Sequence, residues 1–427
     1  MVSPGGRWTG IAVATICGLL AAGPAGALEG YFQLGYGARQ KALGGAGVAD
    51  GRDATTTTLN PAGLIHARDE TDFAYGLFSP TREISGSGAP GLTPTGGVDS
   101  NSLYFFVPNS ALSYHLPQNP FADVVGISMY GNGANTDYPA IDRPLVECGG
   151  GVGVYCSGAA GVDLQQAFLT IAIAKQIAEG LSFGVGPVIA RQQFRAKGVS
   201  LFAITPTSQD ESWGYGVRGG LEWSLAPNLR LGAAVSSRTY MESFGKYQNL
   251  LADHADCDVP ANGQAGFAYD VQPDLTLMLD YQYIGYGSVP CVANPATNVL
   301  TAPFGAEDGP AFGWHDIHAV KLGVEWRQSA ALALRAGYSY NTPLIGSRDV
   351  QLNILAPSTT QHHITGGGEL WLDRDWSVEL AAMFAPRTTV SGPEIVPGPA
   401  HIVDIGTQQW EAMVSIKYLF DLTTVHW

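Results

Sequence analysis

From about residue 71 the sequence repeats one unit: a run of alternating hydrophobicity, a connection of three or four residues, a second alternating run, then a long stretch rich in Gly and Pro. The last pair of runs shows it best. In "WSVELAAMF" the residues Trp376, Val378, Leu380, Ala382 and Phe384 share one face, and in "WEAMVSIKYLF" Trp410, Ala412, Val414, Ile416, Tyr418 and Phe420 do the same. Ser377, Glu379, Glu411, Ser415 and Lys417 take the opposite faces. This is the period of two expected of half-buried strands. The short connections are "AEG" (178–180), "APN" (226–228), "QPD" (272–274), "RQSA" (327–330) and "DRD" (373–375). The long ones cover 84–100, 131–162, 198–211, 246–262, 288–314, 346–360 and 387–408. Short turns at one end and long loops at the other are the asymmetry of a transmembrane β-barrel, an all-β fold. The pattern predicts fourteen antiparallel strands between Thr71 and Phe420.

Composition points the same way. Only 14% of residues are charged, while 55 are Gly. That balance is unusual for a soluble chain, but it follows where apolar residues face lipid and small or polar residues face a lumen. Trp223, Trp326, Trp371 and Trp376 flank the short turns, and Trp213, Trp314 and Trp410 follow long loops, which predicts an aromatic girdle at each membrane interface. A net charge of −15 excludes nucleic acid as a partner, because phosphate contacts need clustered cations.

The first residues read as a leader. Arg7 precedes an apolar run from Ile11 to Ala22, and Ala25, Gly26 and Ala27 form a small-residue cleavage site, so 1–27 is the expected signal peptide. The run is too short for a spanning helix. Export implies an oxidising compartment, where Cys148, Cys156, Cys257 and Cys291 suit two disulfides. Cys148 to Cys156 and Cys257 to Cys291 is the preferred pairing of the three possible ones. The first pair shares a loop, and the second lies at the two open ends of one hairpin.

Between the leader and the first strand stands "GYGARQKALGGAGVADGRDATTTTLNPAGL" (35–64). Gly45 and Gly47 start a dinucleotide-like pattern, but Asp50 occupies the place of its last Gly, so no cofactor is expected. A barrel of fourteen strands is too wide for its own side chains to fill, and the non-alternating segment 28–70 is predicted to plug it. This segment resembles the amino-terminal hatch of the FadL family, outer-membrane transporters of long-chain fatty acids and other hydrophobic compounds. The matching residues are Gly37-Ala38-Arg39, Leu43 to Ala46, Asp53-Ala54 and Asn60-Pro61-Ala62-Gly63. A second match is "WHDIHAVKLGVEWRQSAALALRAGYSYNTPLI" (314–345). The chain departs from the family in a seven-residue tail, 421–427, so Phe420 or Trp427 would have to serve as the terminal aromatic for insertion.

The resemblance implies a monomer in the outer membrane of a Gram-negative bacterium, surrounded by lipid and lipopolysaccharide, with 28–70 as hatch and 71–420 as barrel. A hydrophobic ligand would bind among the extracellular loops, pass to a pocket in the upper lumen, and leave sideways through a gap at a kinked third strand as the hatch moves. Asn60, Pro61, Ala62 and Gly63 would form a working turn of that hatch. The third strand runs from "VVGISMY" into "GNGANTDYP", and Gly131 and Gly133 are the expected break in its pairing. A fatty-acid carboxylate needs a cation, since burying it unpaired is costly. Alternation puts Lys321 and Arg335 on inward faces of adjacent strands, as carboxylate partners or as a lumen salt bridge with Glu325, and turns Arg191 outward. The same hatch also fits uptake of aromatic or aliphatic hydrocarbons. An aqueous porin and a barrel-borne lipase are the remaining classes. Ser182 in "GLSFG" matches Gly-x-Ser-x-Gly but opens a strand instead of a strand-to-helix turn. The pairs His315/His318 and His362/His363 lack metal-ligand spacing. No catalytic residue and no metal are therefore expected.

Overall fold

The computed structural model describes residues 28–204 and 206–420; the leader over 1–27 and the tail 421–427 lie outside the described residues. Among the described residues fourteen long strands close into one antiparallel barrel. They are β1 (Glu70–Gly88), β2 (Phe105–His115), β3 (Val124–Asn135), β4 (Gly161–Ala178), β5 (Leu181–Lys197), β6 (Asp210–Ala226) and β7 (Leu229–Ser236). The second half is β8 (Asn262–Gln272), β9 (Leu275–Ile284), β10 (Ile317–Arg327), β11 (Leu332–Asn341), β12 (His362–Trp371), β13 (Trp376–Pro393) and β14 (His401–Leu419). Each pairs with its neighbours in sequence, and β1 closes on β14 from Glu70 opposite Leu419 to Gly88 opposite His401. Short ribbons at Gly96–Asp99 and Tyr240–Met241 extend β1 and β6 at the loop end.

Alternation sorts the side chains. On β10, Val320, Leu322, Val324 and Trp326 are exposed outward while Lys321 and Glu325 are buried inside. Phe73, Ile171, Val217, Leu279, Leu380 and Val414 continue the outer apolar band around the barrel. Trp223, Trp326 and Trp376 stand exposed at the turn end, and Trp213 and Trp410 at the loop end. Trp371 departs from the expected girdle, lining a cavity inside the turn end on the face that carries Glu369, and so does Trp314. The latter lies inside the loop dome, 3% exposed, with its ring against Tyr31 and Tyr286 and its Nε1 donating to Asn353 Oδ1 at 2.8 Å. Position just before a strand does not fix the direction of a side chain whose backbone has not yet joined the wall.

Residues 28–69 lie inside the barrel. They form two short helices, α1 (Ala38–Ala42) and α2 (Thr56–Leu59), and a 3₁₀ turn, Pro61–His66. Glycines on the wall make room for them. A Cβ on Gly184 would stand 2.3 Å from the Pro61 carbonyl carbon, and one on Gly232 2.2 Å from the Val48 oxygen. The loops fold over the other end, tied by Cys148–Cys156 and Cys257–Cys291, whose Cα atoms are 5.4 and 5.2 Å apart.

The β2–β3 ladder is interrupted. β3 pairs with β4 without a register shift from Val124–Ala174 to Asn135–Asp163, so Gly131 and Gly133 form no bulge on that side. On its other side β3 pairs with β2 only from His115–Val124 to Ser110–Met129. Beyond that point Phe105–Asn109 of β2 pair with β1 alone. Pro108 sits in this stretch and has no N–H to give a second neighbour, a residue suited to an edge. The expected break in pairing at Gly131 and Gly133 falls on this side, since both lie in the part of β3 that β2 leaves, without a bulge.

Candidate functional site

The inner segment lies against the free edge of β3. Gln33 Nε2 donates to the Gly131 carbonyl, the Gly133 N–H donates to the Tyr31 carbonyl at 3.3 Å, and the Tyr36 hydroxyl donates to Asn132 Oδ1 at 2.9 Å. Backbone groups that β2 leaves unpaired are therefore met by residues 31–36. Tyr36 also packs on Tyr130, 4.3 Å between ring centroids, and Tyr130 stacks on Phe168 at 5.1 Å.

The same stretch lines a mid-lumen pocket with Arg218, Gln264, Gln282 and Lys321 of the wall. It has about 30 Å³ of free space, enough for water and not for a hydrocarbon chain. Lys321 Nζ lies 3.3 Å from Glu29 Oε2 and 3.1 Å from the Leu34 carbonyl, both on the inner segment. Arg218 is buried, its Nε has no hydrogen-bond partner, and no carboxylate is in ion-pairing distance among the described residues. Strict alternation on β6 points it inward; that signal was legible beside the exposed Val217, and sequence reasoning passed it over.

Toward the turn end the lumen carries ions. Arg335 engages Glu325 at 2.8 Å, Glu369 at 2.7 Å and Glu379 at 2.9 Å, one carboxylate for each guanidinium nitrogen, so it offers no free face to a ligand. Lys417 is 3.3 Å from both Glu369 and Glu379. The inner segment enters this network through Arg39, which lies 3.2 Å from Glu325 and 2.5 Å from Asp50, and through Asp50, 2.8 Å from Arg230. Burial would raise the Asp50 carboxyl, but the guanidinium groups of Arg52, Arg39 and Arg230 hold it down at about 2. A cavity of about 200 Å³ under the network is lined by Arg39, Arg52, Glu70, Arg335 and Trp371.

The Asn60 turn fixes the inner segment to the wall. Asn60 Oδ1 accepts from the Ala62 N–H at 3.1 Å, and its Nδ2 donates to the Val48 carbonyl at 2.7 Å and the Leu221 carbonyl of β6 at 3.0 Å. Pro61 opens the 3₁₀ turn, where its missing N–H costs nothing. Gly63 packs on Gly51; a Cβ on it would meet the Gly51 Cα at 2.8 Å. Ser182 Oγ donates to the Ala62 carbonyl at 3.1 Å and the Glu222 carbonyl at 3.3 Å. Arg191 points outward to Glu211 and stacks over Trp213.

The loop end holds an apolar cavity lined by Phe194, Phe202, Leu250, Phe304, Phe312 and Leu355. Phe202 meets Tyr155 at 4.9 Å and Phe304 at 5.2 Å.

Neither a protein-family model nor a curated protein matches the sequence. Solved structures do match in shape. The Pseudomonas putida toluene transporter TodX aligns at 18% identity over 91% of this chain and 99% of its own, with a TM-score of 0.64. The Ralstonia pickettii toluene transporter TbuX aligns at 17% identity over 91% and 99%, TM-score 0.62. A Pseudomonas aeruginosa FadL homologue aligns at 12% over 92% and 100%, TM-score 0.65. The chain shares the barrel fold of these structures. In transmembrane barrels short turns lie at the periplasmic end and long loops at the extracellular end, and the two ends of this barrel are named on that basis.

Proposed function

We propose that this chain carries hydrophobic compounds across the outer membrane, long-chain fatty acids in particular, and releases them sideways into the bilayer. The observation that supports this most is the pairing of a periplasmic end filled by hatch and ions with a wall whose β2–β3 ladder stops halfway. An apolar chain gains nothing by reaching the periplasm, and a lateral route keeps it in hydrocarbon. The working unit is the monomer in outer-membrane lipid and lipopolysaccharide, since the closed barrel offers no full strand edge to a partner.

The steps follow from the site. Cargo binds first in the Phe194–Phe202 cavity under the loops. It then displaces hatch residues 31–36 from the mid-lumen pocket, where Arg218 supplies an uncompensated cation for a carboxylate. Lys321 already holds Glu29, so an incoming carboxylate competes with a carboxylate of the hatch itself. Release of Glu29 and Leu34 from Lys321 frees the stretch whose Tyr31 and Gln33 hold Gly131 and Gly133, which opens the gap. The alternative is a neutral hydrocarbon, favoured by the toluene transport of TodX and TbuX. The experiment is uptake of radiolabelled oleate and toluene by bacteria lacking their own long-chain fatty-acid transporter, complemented with this chain or its Arg218→Met variant. Oleate uptake that falls in the variant supports the carboxylate reading. Toluene uptake alone, indifferent to Arg218, assigns a hydrocarbon channel, and no uptake of either overturns the transporter reading.

A further inference from the structure

Five arginines are buried among the described residues: Arg39, Arg82, Arg143, Arg218 and Arg335. Arg39, Arg143 and Arg335 each have a carboxylate partner at 3.2 Å or less. Arg82 of β1 has none among the described residues. It is 4% exposed, donates from Nη1 to the Ser102 carbonyl at 3.3 Å, and lies over the Phe105 ring at 5.6 Å from its centroid. One neutral carbonyl and one ring face offset only part of the cost of taking a guanidinium out of water. A buried cation in this state is prepared for an anion.

Its place says which anion. Phe105 is the first residue of β2, in the stretch that has lost β3, and Ser102 Oγ donates to Asn135 Oδ1 of β3 at 2.6 Å. Arg82 therefore stands at the extracellular head of the gap between β2 and β3. It lines a small cavity with Gly30 of the hatch and with Ala134, Asn135, Trp314 and Leu355. Along the rim below it, Asn109 of β2 is buried with both amide atoms unpartnered, and Asn132 of β3 has an unpartnered Nδ2. A route for a purely apolar solute would have no use for a desolvated cation and vacant amides.

We propose that Arg82 is a carboxylate-binding station at the head of the lateral gap, holding the head group of a fatty acid while its tail enters the bilayer. This rests on the transporter reading above and names its cargo as an anionic amphiphile. Two buried cations without a carboxylate partner among the described residues then mark successive stops for one head group, Arg218 in the mid-lumen and Arg82 at the gap. The rim amides keep the carboxylate hydrogen-bonded until it reaches the outer-leaflet interface.

The test uses the full chain in the same uptake assay at matched outer-membrane levels. Losing one charge-assisted contact to the head group predicts that Arg82→Met lowers oleate uptake roughly tenfold, and that Arg82→Lys recovers at least half of it. Against a folding defect stands a second measurement on the unaltered protein. A fatty acid with a diazirine beside its carboxylate should photolabel the peptides that contain Phe105 or Ala134, and excess oleate should compete the label away. Wild-type uptake by Arg82→Met, or label confined to other peptides, overturns the proposal. Absence of oleate uptake by the unaltered protein overturns instead the fatty-acid reading on which it rests.

Discussion

The two ends of the lumen are built from opposite materials. The extracellular half is a contact network of rings and aliphatic side chains, Tyr130, Phe168, Phe194, Tyr247, Trp314 and their neighbours, gathered from strands, loops and the first hatch residues. The periplasmic half is a lattice of ions in which Arg39, Asp50 and Asp53 of the hatch interlock with Glu325, Arg335, Glu369, Glu379 and Lys417 of five adjacent strands, β10 to β14. Dispersion contacts are non-directional and can re-form around an incoming apolar chain. Buried ion pairs have no such freedom, because moving one partner strands the other. The difference separates a region that can yield to cargo from one that cannot.

Breaking the rigid half should have the largest effect. Arg335→Met leaves three buried carboxylates without their shared cation and should cost about 3–5 kcal/mol. Urea unfolding of the detergent-solubilised barrel, followed by its heat-dependent shift on electrophoresis, reads it directly. A midpoint equal to that of the unaltered chain would mean that water already screens the network. Next comes the tie between hatch and wall. Asn60→Ala removes three hydrogen bonds, to Val48, Leu221 and Ala62, and should loosen the hatch by about 1–3 kcal/mol while the barrel stays intact. In planar bilayers the variant should show brief openings where the parent is silent, and equal silence would place the hold on the hatch elsewhere.

The yielding half should respond in binding more than in stability. Phe202→Ala removes ring contacts with Tyr155 and Phe304 from the wall of the extracellular cavity. At about 0.5–1.5 kcal/mol per aromatic pair, oleate affinity should drop several-fold, with the urea midpoint moving less than in Arg335→Met. Equal losses in both measurements would erase the distinction between the halves.

Much of this was legible in the sequence because it is local. Strand period, turn length and loop length follow from neighbouring residues, and the Asn60-Pro61 turn carries its own cap. Cys148 and Cys156 are close in sequence, and Cys257 and Cys291 are brought together by one hairpin. What depends on partners across the barrel was not legible. Alternation placed Arg335 inside but said nothing of Glu369 and Glu379, one and two strands away. Gly131 and Gly133 mark the stretch of β3 that loses a neighbour, but not which neighbour; Pro108 of β2 is the signal for that side. Trp314 stands where a girdle residue would, yet the loop returns it to the core. The inward glycines, such as Gly184 and Gly232, look like weak strand positions until the hatch backbone is seen lying on them.

The smallest effect concerns pH, and it separates two anchors of the hatch by sign. His66, at the end of the 3₁₀ turn, has its Nε2 3.3 Å from Glu222 Oε1 of β6. That contact with the Glu222 carboxylate raises the imidazole above its ordinary value, with burial opposing. A raised histidine stabilises fully below its unfolded value near 6.5, and the contribution is lost as pH climbs through the higher folded value. Asp50 runs the other way: its carboxyl, held at about 2, stabilises above its unfolded value near 4 and gives way as pH falls between the two. Amide exchange in 61–67 should therefore quicken, beyond the intrinsic base-catalysed rise, on the alkaline side of neutrality. His66→Gln should remove that excess and leave the acid limb unchanged. If the excess persists in the variant, His66 is not an anchor of the turn, and the hold on 61–67 comes from the hydrogen bonds of Asn60 and Ser182.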